Sequence, residues 1–135
     1  RLHPIDRMPE LLGVQVSFVR QLSEAGVIDL RKSPAGRDLV DGHDFPLIRV
    51  CDELRHFGIG PKNLRQYVIA ANRESAMFEQ ALMVFAKKGG VAREADDETR
   101  HQFDQAFQRI LALTDSVRDE LVSRRVRESF KDLQG

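Results

Sequence analysis

A second cysteine is missing, so Cys51 has no partner for an internal disulfide. In a chain this rich in ions, that suits a reducing, cytoplasmic setting. A surplus of positive charge is missing too. Lys and Arg number 21, and so do Asp and Glu. A domain whose whole surface is given to nucleic acid carries a basic excess, so the balance leaves room only for a local patch. No apolar run approaches the roughly 20 residues that span a bilayer, and no signal peptide opens the chain, so no membrane partner is expected. There is no Gly-rich phosphate loop, nucleophile elbow or zinc motif. The chain is therefore read as a non-enzyme, with no catalytic residue, cofactor or metal. His101 follows Asp97 at helical spacing, but His3, His43 and His56 add no metal-ligating spacing to that pair. Cys51 is expected on a core face, as a buried thiol.

What is present is a 135-residue chain with 41% apolar residues, enough for one domain with a real core. It opens on Arg1 rather than Met, so it reads as a fragment of a longer protein. Helical punctuation dominates. Pro4 is placed in a first helical turn, where its missing N–H is no loss. Ile5, Met8, Leu11 and Leu12 form a stripe at helical spacing, and Pro9 implies either a kink or a start nearer Asp6. Gly13 ends this element. A second helix is expected over Gln15–Ala25, with Val16, Val19, Leu22 and Phe18 on the inner side and Gly26 just past its end. The period then changes. Val27–Leu30 and Asp38–Val40 read as two short strands around the turn-forming "KSPAG", a small hairpin wing.

Asp41 is the expected N-cap of a third helix, with Asp44 near its positive end. Phe45, Ile48, Cys51 and Leu54 carry the apolar face to Gly58. Gly60–Pro61 opens a fourth helix with Leu64, Tyr67, Val68, Ala71, Phe78, Leu82 and Phe85 in its stripe. A break is expected near Asn72–Ser75, and "KKGG" closes the helix. A long last helix begins near Ala95–Glu98. Phe103, Phe107, Ile110, Val117 and Leu121 follow steps near seven, interrupted by Thr114, while Leu111, Val122, Val126 and Phe130 widen the stripe beyond a coiled-coil seam. The expected organisation is a winged-helix-like subdomain over 1–60 and a long helical hairpin over 61–135, together one compact mainly α domain.

The residues support a resemblance. "GVQVSFVRQLSEAGVI", Gly13 to Ile28, is similar to the helix-turn-helix of MerR-type regulators, with Gly13, Val14, Val16, Val19, Arg20, Gly26, Val27 and Ile28 at matching positions. "HDFPLIRVCDELRHFGIGPKNLRQY" resembles that family's next two helices. Over nearly the whole chain, the order of helices also resembles the C-terminal domain of actinobacterial FtsR-type, MerR-like transcription factors linked to cell-division genes. The resemblance implies a winged helix-turn-helix with a small β-hairpin wing, followed by a long antiparallel helical hairpin. It also implies a main DNA reader in a domain N-terminal to this one. The chain departs from the MerR pattern where an aromatic pair normally follows Arg20; here Gln21 and Leu22 stand instead. In the wing, Gly36 and Arg37 remain near their places but the aromatics do not.

Two sets of residues are candidate sites. Gln15, Ser17, Arg20 and Gln21 face a major groove if the second helix reads DNA, with Lys32 and Arg37 holding the backbone from the wing. The competing reading is a solvated face on a scaffold, favoured because useful affinity needs several phosphate contacts. Phe103, Phe107, Ile110, Val117 and Leu121 are the candidate core and dimer face. The mixed charges around Arg118, Arg124, Arg125, Arg127 and Lys131 read as a salt-bridged surface. The aromatic stripe Phe78, Phe85, Phe103 and Phe107 reads as core ahead of a ligand pocket. The leading functional expectation is a regulatory and homodimerisation domain of a MerR-family regulator, which reaches DNA through the full-length chain. The alternatives are a direct DNA-binding winged helix, or a module that senses a small molecule or partner, with no effector identified.

Overall fold

The structure is a computed structural model that describes residues 1–89 and 96–134. The chain divides into two compact units, Arg1–Arg73 and Glu74–Gly135. In order, the elements of the first unit are β1 (Leu2–Pro4), a 3-10 turn (Ile5–Arg7), α1 (Met8–Leu12), α2 (Val16–Glu24), β2 (Arg31–Lys32), β3 (Asp38–Asp41), a second 3-10 turn (Gly42–Asp44) and α3 (Phe45–Arg55). α4 (Pro61–Gly89) contributes to both units, and α5 (Asp97–Ser129) and α6 (Lys131–Gln134) follow. The fold is mainly helical, with one small antiparallel sheet and a long helical pair, as expected.

Pro4 corrects the expected helix start. It ends β1, an edge strand that pairs antiparallel with β3 through Leu2–Asp41, His3–Val40 and Pro4–Leu39. A proline lacks the donor a central strand needs, but an edge strand tolerates it. Pro9 needs no kink, because it lies in the first turn of α1, where no intrahelical donor is required. β3 is the central strand and also pairs with β2, through Arg31–Leu39 and Lys32–Asp38. The expected strand over Val27–Leu30 is instead an irregular connection. Its apolar residues do not alternate between faces. Ile28 is buried, and Val27 and Leu30 pack against the same core, so the run anchors the chain rather than forming a ladder.

α2 matches its expected span to within a residue at each end. Its end is a Schellman motif: the Gly26 N–H donates to the Ser23 carbonyl at 3.0 Å and the Val27 N–H to the Leu22 carbonyl at 2.9 Å. Gly26 has φ +85°, and a Cβ there would lie 2.8 Å from Arg65 Nη1 and 3.3 Å from Val68 Cγ1. Arg65 Nη1 in turn donates to the Ala25 carbonyl at 3.0 Å. Gly26→Ala therefore imposes left-handed backbone strain and displaces the guanidinium that holds the end of α2. An expected loss of about 1–3 kcal/mol in urea unfolding checks this; an unchanged midpoint would refute it.

The core of the first unit joins Ile5, Met8, Val14, Phe18, Val19, Leu22, Ile28, Val40, Ile48, Cys51 and Leu64. Sheet, short helices and the start of α4 thus share one apolar centre. Asp41 caps as expected, although it caps the 3-10 turn: its Oδ1 accepts from the His43 N–H at 2.9 Å. α4 does not break near Asn72–Ser75 but runs as a continuous helix. Asn and Ser are only weakly unfavourable inside a helix, and no proline or glycine interrupts that stretch. Of the expected closing run 87–90, Gly90 and the side chains of Lys87 and Lys88 lie outside the described residues, as does Ala95.

In the second unit α5 starts from Asp96, whose side chain accepts from the Thr99 N–H at 2.7 Å. α4 and α5 meet antiparallel. Phe85 faces Phe103 edge-on at 6.2 Å, Phe78 faces Phe107 edge-on at 6.1 Å, and Glu74 pairs with Arg118. Rising numbers on one helix meet falling numbers on the other, as a hairpin requires.

Candidate functional site

The exposed face of α2 follows from its periodicity. Phe18, Val19 and Leu22 turn into the core, which leaves Ser17, Arg20, Gln21 and Glu24 exposed at steps of three and four. Gln15 is the N-cap residue, and its side chain accepts weakly from Ser17 Oγ at 3.5 Å. The turn between β2 and β3 is closed by Ser33. Its N–H donates to the Arg37 carbonyl, and its Oγ accepts from the Arg37 N–H at 3.0 Å. Lys32, at the end of β2, and Arg37, just before β3, thus flank the turn.

These cations do not stand free. Arg20 Nη1 lies 2.5 Å from Asp38 Oδ2, and Lys32 Nζ lies 2.7 Å from Asp38 Oδ1. The cross-strand register that sets Lys32 opposite Asp38 brings the second pair together. Arg37 reaches Asp6 at 3.4 Å. The three cations of the candidate interface therefore share two carboxylates. Hydrogen bonds from Lys32 and Arg20 hold the Asp38 carboxyl below the usual carboxylate range. Its stabilising effect is present at neutral pH and is lost only as pH falls through that lowered value. Asp38 and Asp6 escaped the sequence reading. Arg20 and Asp38 are 18 positions apart, and no periodicity joins a helix to a strand at that distance.

The α5 face divides in two. Ile110 is half-buried, and Phe107 packs within reach of Phe78 and Phe103. Thr114 takes its place in this seam by donating its hydroxyl to the Ile110 and Leu111 carbonyls, both at 3.0 Å. Beyond it, Val117 is 59% exposed and Leu121 45%, with Val122, Val126 and Phe130 at 50% or more. The nearby ions are paired locally. Arg118 holds Asp115 and Glu74, Arg124 and Arg127 approach Glu120, and Lys131 approaches Glu128. This is the salt-bridged surface that the alternating charges implied.

An apolar groove of about 510 Å³ lies in the first unit, between α3 and the start of α4, lined by Val27, Leu47, Val50, Leu54, Tyr67 and Val68 among others. Cys51 lies at its base, and burial raises its thiol pKa, which keeps it protonated and unreactive. Burial, with the Asp41 charge second, also raises the Asp44 carboxyl pKa. Among the described residues no cluster of three or more His, Cys, Asp or Glu can hold a metal ion. No helix among them is long and apolar enough to cross a membrane.

A search of curated proteins finds no match. The sequence does match the family described as "Rv1828-like, C-terminal domain" over residues 6–130, a span that includes α1 through α5 and the strands β2 and β3 but not β1. The chain, a small sheet and helix-turn-helix followed in sequence by a long helical pair, belongs to the Rv1828-like C-terminal domain family, the C-terminal domain of a MerR-type regulator.

Proposed function

We propose that this chain is a non-catalytic regulatory and homodimerisation domain of a transcription factor of the FtsR kind, whose main DNA reader lies in another domain. The observation that carries this reading is the distal apolar surface of α5. Val117, Leu121, Val122, Val126 and Phe130 all remain exposed in the single chain. A run of this kind on one helix marks an interaction site more readily than a solvated surface. An isologous pairing of two such helices brings two upstream readers to a two-fold operator. The self-neutralised winged helix supports the same reading, because a face whose cations are already paired with Asp38 and Asp6 has little to offer a phosphate backbone. Light scattering at high micromolar concentration is expected to give twice the chain mass. A monomer at that concentration would overturn the dimer.

The apolar groove beside Cys51 favours a second role for the same domain, as a sensor of a small molecule. Its volume is in the usual range for ligand sites. A metabolite screen by thermal shift tests it, since a ligand that binds only the folded chain raises the melting temperature.

A further inference from the structure

We infer that Asp38 occupies a phosphate site, an internal carboxylate seated where Arg20 and Lys32 would otherwise clamp the backbone of a nucleic acid. This rests on the reading that the domain is not itself a DNA reader and supplies a physical reason for it. Arg20 comes from α2 and Lys32 from β2, and both donate to the two oxygens of one carboxyl group, at 2.5 and 2.7 Å. A carboxylate and a phosphate offer the same kind of anionic oxygen acceptors to such donors. The Asp38 side chain is only 15% exposed, whereas Arg20 keeps 47% of its side-chain surface and Lys32 69%. The acid is thus tucked behind two cations whose outer sides are open to solvent. Removing its charge leaves the two cations, one from α2 and one from β2, converging on one point. Arg37, whose 3.4 Å pairing with Asp6 joins two exposed side chains, is available as an additional contact because such a pair contributes little.

The test is fluorescence anisotropy of the chain with a labelled duplex of arbitrary sequence, titrated across salt. Asp38→Asn is isosteric and leaves the backbone free to pair as before. It is expected to bind several-fold more tightly than the wild type at low salt, with the salt slope steepened by about one. The double change Asp38→Asn with Arg20→Ala is expected to lose that gain. Asp119→Asn on α5, in the second unit, makes the same change in net charge without touching the Arg20–Asp38–Lys32 cluster, and is expected to leave binding near wild type. Equal gains from Asp38→Asn and Asp119→Asn would assign the effect to net charge and overturn the inference. So would a folded Asp38→Asn chain that binds no better than wild type, and in that case the dimerisation reading still stands. Tight, sequence-selective binding by the wild type would overturn both readings. If Asp38→Asn loses its helical circular dichroism, Asp38→Thr, which suits a strand, takes its place with the same outcomes.

Discussion

Leu22→Ala is expected to lower the unfolding free energy of the first unit by about 2–5 kcal/mol. Leu22 has no exposed surface and sits with Val19, Phe18, Ile48 and Val40 in one cluster. It is also the residue whose carbonyl accepts from the Val27 N–H at the end of α2. Truncation removes one of the three buried side chains, Phe18, Val19 and Leu22, that hold this short helix to the core. The cost is the lost transfer energy plus that of a cavity which the surrounding sheet and helices cannot fill by collapse. Urea unfolding followed by circular dichroism measures it. A loss under about 1 kcal/mol would show that the cluster is loosely packed and that the winged helix is held by something else.

The second large effect comes from contrasting two positions on α5. In the sequence, Phe107 and Leu121 belong to one stripe, and a charge at either predicts damage to folding or to pairing without separating the two. The structure separates them. Phe107 makes ring contacts with Phe78 and Phe103 within the chain, whereas Leu121 is 45% exposed. Phe107→Asp places a carboxylate against those rings. It is expected to cost at least about 3 kcal/mol of stability, from lost aromatic packing and from desolvating the new charge. Leu121→Glu is expected to leave the unfolding midpoint nearly unchanged and to weaken self-association by about tenfold or more, equivalent to ~1.4 kcal/mol. Denaturation and sedimentation equilibrium on both variants give the answer. A Leu121→Glu chain that still pairs like wild type would remove the distal α5 surface from the dimer interface.

Much of the fold was legible because it rests on local chemistry. Gly26 and Gly58 mark the ends of α2 and α3, and both have positive φ. Asp41 marks the start of the third helical segment. The 3.6-residue spacing of Phe18, Val19 and Leu22 told the inner side of α2 from the outer. The errors share a physical cause as well. β1 escaped because three residues carry no period, and because Pro4 reads as a helix opener unless its partner strand is known. Val27–Leu30 looked like a strand because β-branched residues serve equally well as core anchors. No break occurs near Asn72–Ser75, because the hydrogen-bond ladder of a long helix outweighs the weak propensities of Asn and Ser.

The candidate sites divide along the same line. From the sequence alone, Arg20, Lys32 and Arg37 could be named as the cations of a helix-turn-helix and its wing, and Phe103 through Leu121 as one apolar stripe. Both follow from residue type and spacing along a single element. Only tertiary structure decided that Arg20 and Lys32 share the Asp38 carboxylate, and that Phe107 and Ile110 are half-buried in the hairpin while Val117 and Leu121 stay exposed. Those outcomes depend on which strand pairs with which, and on where one helix meets another. Contacts between residues distant along the chain leave no period in the sequence, because the distance that brings their charges or rings together is set by the packing of the elements that carry them.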